Sequence, residues 1–264
     1  MLALRRTVRF NINSGGGAGG TNGAAGVPAM TGFGRHYELE VTCRGEPDPA
    51  TGYLVDIKAI DDAVRSRGVP LVARACQDEP GRDPAGLLPE LAAALRPPLG
   101  PGLHALCFRL TPTWSITMST ETPTVVVLRQ RFEFAASHRL HAPTLSDEEN
   151  RRVFGKCNNP AGHGHNYRIE PAVEVSLDPR GALSPGELEA EVEEHIIGWL
   201  DHRHLNADVP EFDPGRGGLI PSVENIARLC YERLAGRLDA RDGVRVRSVT
   251  VWETDRTACE YPAR

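Results

Sequence analysis

The stretch VFGKCNNPAGHGHNYRIEPAVEVSL, residues 153–177, changes from a loop sequence to a strand sequence at His163. Before that point, glycine, asparagine and proline are residues typical of turns. Beyond it the side chains alternate in character, and one parity comprises His163, His165, Tyr167, Ile169, Val173, Val175 and Leu177. This alternation predicts a β-strand with one buried face, and two histidines at its beginning face the same way.

A weaker copy of this stretch lies in the first half of the chain. The segment GRHYELE at residues 34–40 resembles GHNYRIE at residues 164–170, and further motif pairs also lie about 130 residues apart. The repetition predicts two related domains, residues 1–128 and 129–264.

Both halves carry the same order of expected elements. In each, a strand is followed by a long loop and a second strand, then by two helices and two more strands. In the second half a capping box at residues 184–187 predicts one helix start, Ser222 is expected to cap another helix, and residues 244–253 predict a closing strand. The first half predicts helices near 56–67 and 86–97. The order predicts an α+β fold with antiparallel sheets, whose open edges favour assembly side by side.

Composition excludes several classes of function. The 264 residues carry a net charge of −5 with no basic stripe, so no nucleic-acid partner is expected. Apolar runs are too short for a membrane span, and the absence of an export signal together with six scattered cysteines favours the cytoplasm and free thiols. A glycine-rich run at residues 15–20 lacks the helix that a dinucleotide loop needs, so a loose connector is expected.

Histidines are the first candidates for chemistry. His163 and His165 can converge on one metal ion from a strand, and the glycine between them is expected to leave room. The segment SHRLH at residues 137–141 follows an expected strand and offers a third ligand, either His138 or His141. Three histidines with an open fourth position are typical of a catalytic zinc site, although an H-x-H pair alone is weak evidence.

Other polar residues could complete an active site. Cys157 lies in a loop beside Lys156, and a nearby cation would favour its thiolate, so it is a candidate base. Asp201 and His202 can form an orienting pair, although a polar helix end explains them as well. Glu253 can accept two N–H donors from a guanidine-like ring edge, or be a solvated acid at a strand end.

The ordered motifs resemble the 6-pyruvoyl-tetrahydropterin synthase family. The resemblance covers essentially all of residues 131–255 and is carried by FAASHRLH (134–141), FGKCNNPAGHGHNY (154–167), LDHRHLN (200–206), SVEN (222–225) and WETD (252–255). It implies tandem tunnelling-fold (T-fold) domains, each a four-stranded antiparallel sheet with two helices on one face. It also implies a homo-oligomer in which subunits join their sheets into a barrel, with the site between subunits.

The resemblance also implies roles for individual residues. Zn²⁺ would be bound by His138, His163 and His165. Cys157 would be the catalytic base, assisted by Asp201 and His202. The pterin ring would bind Glu253, with Ser222 and Glu224 lining that pocket.

The substrate implied by the resemblance is 7,8-dihydroneopterin triphosphate, a small-molecule pterin triphosphate. Elimination of triphosphate would give 6-pyruvoyl-tetrahydropterin. An alternative is 6-carboxytetrahydropterin synthase of queuosine biosynthesis, which uses the same substrate and releases acetaldehyde. A non-catalytic pterin-binding scaffold is a more remote alternative.

Two departures from the family pattern stand out. His204 occupies a position where relatives often have asparagine, so it could take the place of His202. In the first half, Phe33 and Arg35 stand where His163 and His165 stand in the second. The resemblance therefore implies a degenerate first copy without zinc ligands, which could form one wall of the live site.

Overall fold

The computed structural model describes residues 1–17, 19–178 and 183–263. The chain divides into two compact units, Met1–Leu128 with a short segment that begins at Val175, and Arg129–Glu174 with the remainder of the chain. Both units combine helices with antiparallel strands, so the expected α+β class is confirmed. Among the described helices, none has the length and apolar character needed to cross a membrane.

The first unit is built on an antiparallel sheet in which β1 pairs with β2, β2 with β3, and β3 with β4. Its strands are β1 (Leu2–Ile12), β2 (Arg35–Gly45), β3 (Leu103–Thr111), β4 (Trp114–Ser119) and β5 (Val125–Gln130), the last leading along the chain into the second unit. Its helices are α1 (Ile57–Ala63), α2 (Val69–Asp78) and α3 (Leu88–Leu99).

The helix expected near residues 56–67 is longer than predicted, because a π-helical turn at Val64–Gly68 joins α1 directly to α2. The apolar faces of these helices and of the sheet form the core of the first unit. Its fully buried side chains include Leu39, Ile60, Leu88, Leu91, Leu95 and Phe108.

The second unit has its strands in the order β8-β6-β7-β9-β10. These are β6 (Phe132–His138), β7 (His163–Ser176), β8 (Arg203–His204), β9 (Val244–Thr254) and β10 (Thr257–Tyr261). β6 and β7 are antiparallel, as are β9 and β10, whereas the short β8 runs parallel to β6. The helices are α4 (Asp147–Phe154), α5 (Pro185–Val192), α6 (Gly198–Leu200), α7 (Leu205–Asp208) and α8 (Val223–Leu238), with a π-helical turn between α5 and α6.

The two principal helices of this unit begin where the sequence predicts. At α5 the Ser184 hydroxyl accepts the N–H of Glu187 and the Glu187 carboxylate accepts the N–H of Ser184, which is a complete capping box. At α8 the Ser222 hydroxyl accepts the N–H of Asn225. The apolar face of α8, which includes the fully buried Ile226 and Leu234, packs against β9. Both expected helix starts are confirmed.

The stretch between β6 and β7 is not a continuous loop as expected, because it contains α4. Ser146 and Glu149 form a capping box at its start. The helix is polar, and its one fully buried residue, Asn150, bonds to the main chain of Ala142 in both directions. Without an apolar stripe the helix gives no periodic signal, so only the capping box could have revealed it.

The capping carboxylate of α5 should make stability depend on pH. The N–H of Ser184 and the side chain of Arg241, 2.6 Å away, lower the pKa of Glu187 from 4.5 to about 2. Because the folded pKa is the lower one, this stabilisation is present above about pH 4.5 and is lost as the pH falls towards 2. Solvent screening of the half-exposed group limits it to below about 1 kcal/mol.

We expect Glu187→Gln to lower the free energy of unfolding at pH 7, and this difference from wild type to shrink at pH 3. Urea denaturation at both pH values measures it. Glu189→Gln, on the exposed side of the same helix, is the control and should show no such change with pH. An equal deficit of the Glu187 variant at both pH values would contradict the assignment.

Candidate active site

The pairing register of β6 and β7 brings three histidines together. His138 is the last residue of β6 and lies opposite His163, the first residue of β7, while Ala136 lies opposite His165. The three histidines share the parity of the buried Phe134 and Tyr167. The expected strand pairing is confirmed, and it converts two distant sequence motifs into one cluster.

The ring nitrogens of this cluster have a spacing suited to a metal ion. One nitrogen from each histidine lies within 4.8 Å of the others. His138 Nε2 and His163 Nε2 are 3.2 Å apart, and two nitrogens about 2.0–2.1 Å from a tetrahedral zinc would be separated by about 3.3 Å. His141 is not part of the cluster, since its Nδ1 lies 3.1 Å from Asn158 Oδ1.

The surroundings of His138 hold its ring in the tautomer that a metal requires. Its Nδ1 donates a hydrogen bond of 2.6 Å to the carbonyl of Pro221, which leaves the lone pair on Nε2 facing the cluster. The side chain is fully buried, and burial, with smaller effects of the neighbouring histidines, lowers the pKa of His138 to about 4. It is therefore neutral, and able to ligate, at physiological pH.

His165 supplies a second sign that the cluster fits a cation. Its Nε2 is buried and makes no hydrogen bond within the described residues. Burial, reinforced by His163, lowers the pKa of His165, although Glu253 opposes this shift. A buried imidazole nitrogen that makes no hydrogen bond is costly, and a bound metal ion would remove that cost. Imidazole nitrogens suit zinc, copper, iron or nickel, so the donor set fits such an ion.

Glu253 and Tyr167 border the cluster. Glu253 Oε1, from the end of β9, lies 3.5 Å from His138 Nε2 and 3.7 Å from His165 Nε2. The Tyr167 hydroxyl lies 3.4 Å from both ring nitrogens of His138. Burial raises the pKa of Tyr167, and electrostatic interactions with Glu253 and Cys157 act in the same direction. From the sequence, Tyr167 was expected only to be part of the buried strand face. The parity that it shares with His163 and His165 could have indicated that it borders the cluster.

Cys157 lies in a 3₁₀ turn, Gly155–Asn158, directly after α4. Its carbonyl accepts a hydrogen bond of 2.9 Å from the N–H of Leu140, which fixes this turn beside the residues that follow His138. The side chain is half-buried and free of any disulfide. The structure thus holds the thiol near the end of β6 through main-chain contacts that do not depend on the side chain.

Asp201 and His202 form the pair that the sequence suggested. Asp201 Oδ1 accepts the N–H of Ala135 at 2.8 Å, and Oδ2 accepts His202 Nδ1 at 2.7 Å. The hydrogen bond from the N–H of Ala135 lowers the pKa of Asp201 most, and the hydrogen bond from the His202 ring lowers it further. His202 has a left-handed backbone with φ +56°, and its side chain is 83% exposed. In the part of the chain described, no hydrogen bond joins the Cys157 thiol to this pair.

His204 takes a different place from His202. Its Nε2 lies against Gly162, and its Nδ1 is buried without a hydrogen-bond partner among the described residues. The structure therefore pairs His202, and not His204, with Asp201. An open depression on this unit is lined by His202, His204 and His165.

Ser222 and Glu224 have no direct contact with the histidine cluster among the contacts described. Ser222 caps α8, and the residue before it, Pro221, carries the carbonyl that holds His138. Ser222 is thus connected to the cluster through the main chain. Glu224 is exposed in the first turn of α8, where its charge adds to the burial that raises the pKa of Cys259.

Gly162, rather than Gly164, makes room at the cluster. A Cβ at Gly162 would lie 2.9 Å from His204 Nε2 and 3.1 Å from the carbonyl oxygen of His138, and the residue has φ +73°. At Gly164 a Cβ would approach no atom closer than 3.6 Å. The expectation that the glycine between His163 and His165 provides the space was therefore wrong, because that position faces away from the cluster.

We expect Gly162→Ala to destabilise the protein by at least about 1 kcal/mol, because the left-handed backbone disfavours a side chain. It should also weaken metal binding, because the new methyl group presses on the His138 main chain. Urea denaturation and metal content after dialysis measure the two effects. Gly164→Ala is the matched control and should change neither quantity appreciably; similar losses in both variants would refute this account of the cluster.

The fold and the cluster define an α+β chain with a three-histidine site able to hold a metal ion. The family model of 6-pyruvoyl tetrahydropterin synthase matches residues 127–264. Human 6-pyruvoyl tetrahydrobiopterin synthase is 40% identical over 134 residues, 50% of this chain and 88% of the relative, and the Drosophila melanogaster enzyme of that name is 38% identical over 139 residues, 52% and 79% respectively.

A solved structure of Caenorhabditis elegans 6-pyruvoyl tetrahydropterin synthase is 32% identical and covers 53% of this chain and 96% of that chain, with a TM-score of 0.46. The family match spans more than half of the chain, and the human relative is matched over most of its length. This chain belongs to the 6-pyruvoyl tetrahydropterin synthase family, a family of lyases, so both the resemblance and the expected enzyme class are confirmed.

Proposed function

We propose that residues 129–264 form a zinc-dependent domain that converts 7,8-dihydroneopterin triphosphate to 6-pyruvoyl-tetrahydropterin with elimination of triphosphate. The observation that carries this proposal is the convergence of His138, His163 and His165 where β6 ends and β7 begins. The name and 40% identity of the human relative support the choice of reaction. Residues 1–128 would be a degenerate copy without these ligands, and both halves would adopt the T-fold.

Zinc bound by the three histidine nitrogens would supply Lewis-acid chemistry that makes carbon-bound protons beside the substrate's side-chain hydroxyls more acidic. The protein keeps the ligand His138 in the tautomer and the charge state that metal binding requires. The Pro221 carbonyl keeps the His138 lone pair on Nε2, and burial keeps the ring neutral. Three protein ligands leave a coordination position for substrate, as in catalytic zinc sites.

Cys157 is proposed to accept the carbon-bound proton on Sγ as the triphosphate leaves. Asp201, fixed by the N–H of Ala135, orients the His202 ring so that its Nε2 is free to assist that proton transfer. Because His202 is exposed and makes no hydrogen bond to the thiol within the described chain, we propose that Cys157 of one subunit meets this pair from another. A homo-oligomer with sheets joined into a barrel would provide that contact.

Glu253 is proposed to anchor the pterin. A carboxylate can accept two N–H donors from the guanidine-like edge of the ring, which fixes the plane of the substrate. Its position 3.5 Å from His138 Nε2 supports binding of the ring next to the metal ligands. Ser222 and Glu224 would line the same pocket from the start of α8.

Product analysis tests this function. The zinc-loaded protein is incubated with 7,8-dihydroneopterin triphosphate, and the products are identified by mass. We expect 6-pyruvoyl-tetrahydropterin and triphosphate. Acetaldehyde with a 6-carboxy-pterin would instead identify the 6-carboxytetrahydropterin synthase reaction. Binding without turnover would overturn the enzymatic reading in favour of a pterin-binding scaffold.

A further inference from the structure

The first unit contains a cavity of its own, between α2 and the beginning of β2. The rings of Tyr37 and Phe108, with centroids 5.3 Å apart, form much of its floor together with the buried Leu87. Its rim carries Arg35, Cys76 and Arg82. The cavity is small, about 90 Å³, and combines an apolar lining with a few polar groups, as small-molecule sites do.

The strand pairing beside this cavity repeats the pairing beside the histidine cluster of the second unit. Tyr37 pairs across β1–β2 with Phe10, with ring centroids 6.0 Å apart. Tyr167 pairs in the same way across β6–β7 with Phe134, at 4.9 Å. Arg35 precedes Tyr37 by the same two positions that separate His165 from Tyr167 in the sequence.

The first unit thus has Arg35 at the position that His165 occupies in the second unit, and this difference reverses the chemistry of the position. An imidazole offers a lone pair to a cation, whereas a guanidinium has no acceptor and stays protonated. Arg35 would therefore repel a metal ion and attract an anion. The first unit therefore has a cavity beside the corresponding strand pairing, with the opposite preference for charge.

Arg35 is the cation at this cavity that has no acid to neutralise it. Arg82 is bound to the carboxylates of Glu79 and Glu90. Arg35 has no carboxylate partner within the described ranges; polar interactions with the side chains of Tyr37 and Cys76 raise its pKa. One positive charge is thus available to a ligand.

Tyr37 and Cys76 add hydrogen-bonding groups beside this charge. The Tyr37 hydroxyl and Cys76 Sγ are 3.5 Å apart. Burial raises the pKa of Tyr37 to about 12, so its hydroxyl remains a hydrogen-bond donor at neutral pH. A ligand carboxylate facing Arg35 would meet this donor as well.

We propose that the cavity of the first unit binds a small organic carboxylate with a flat apolar body. Arg35 pairs with the carboxylate, the Tyr37 hydroxyl donates to it, and the floor of Tyr37 and Phe108 receives the body. The proposal concerns only residues of the first unit and is independent of pterin chemistry. It gives this unit a binding function where the zinc ligands are absent.

A pair of probes that differ only in charge tests the proposal. The full-length protein is titrated with 2-naphthoate and with its neutral analogue 2-naphthamide, and binding is followed by fluorescence. We expect 2-naphthoate to bind about threefold more tightly or better, the effect of an ion pair with an exposed arginine. Arg35→Gln should abolish this preference, and Arg44→Gln, an exposed arginine of the same strand, should retain it.

A chemical footprint locates the bound probe without relying on a variant. Alkylation of the cysteines by iodoacetamide is measured peptide by peptide, with and without 2-naphthoate. We expect protection at the half-buried Cys76 and none at the half-buried Cys259 of the second unit. Equal affinity for the two probes, a preference that survives in Arg35→Gln, or binding that leaves Cys76 unprotected would each overturn the proposal.

Discussion

Replacement of His165 by alanine is expected to abolish the proposed metal binding and to reduce the proposed turnover of the pterin triphosphate to background. Two histidines would remain where three nitrogens converge, and two protein ligands are fewer than catalytic zinc sites use. Changes of residues that merely support a ligand cost 10–100-fold in affinity, so loss of a ligand itself should exceed about 100-fold. Metal content after dialysis and initial rates measure the two effects.

The fold should tolerate this substitution, so that metal loss is not a consequence of unfolding. His165 Nε2 makes no hydrogen bond in the described residues, and the His138–Pro221 contact does not involve it. His141→Ala is the matched control, because His141 bonds to Asn158 and lies outside the cluster. A His165 variant that keeps the metal content of wild type, or a His141 variant that loses it, would show that the ligand set is misassigned.

The choice between His138 and His141 as the third ligand illustrates what the sequence could not decide. His163 and His165 were predictable from a local period of two, because a strand places alternate side chains on one face. His138 and His141 both lie just beyond the strand expected from the sequence, and only the long-range register, His138 opposite His163, separates them. A short turn fixes the register of a hairpin, but β6 and β7 are joined by a long segment that contains α4, so no turn motif in the sequence indicates which residues lie opposite each other.

The same distinction holds for the fold. Ser184 and Ser222 gave correct helix starts because capping is a contact between residues three positions apart. Helix α4 was missed because it is held by the buried amide of Asn150 and has no apolar stripe. The roles of Pro221 and Gly162 depend on contacts with His138 across the fold, and no spacing rule could indicate them.

The Asp201–His202 pair shows a mixed outcome. Adjacent acid and imidazole side chains suggested the pair Asp201–His202, although His204 could compete with His202 for that role. The left-handed backbone of His202, which turns its ring back to Asp201 at 2.7 Å, decides between them. Such a conformation is uncommon outside glycine, and the residue types alone do not predict it.

Replacement of Cys157 by alanine is expected to lower kcat by about 10²–10⁴-fold, the usual contribution of a general base, while the metal remains bound. Cys157 is not part of the described histidine cluster, so its loss removes no ligand. The turn should persist, because Leu140 bonds to the carbonyl of residue 157 and not to its side chain. Rates with saturating substrate, together with metal content, separate the two effects.

Cys107→Ala provides the control, since this half-buried thiol belongs to β3 of the first unit and should be dispensable for turnover. The two outcomes for Cys157 assign different chemistry to the site. Lost turnover with metal retained is what a proton acceptor beside a three-histidine centre requires. Lost metal would make the thiol a fourth ligand, closing the position that substrate needs, and the base would then have to be sought elsewhere.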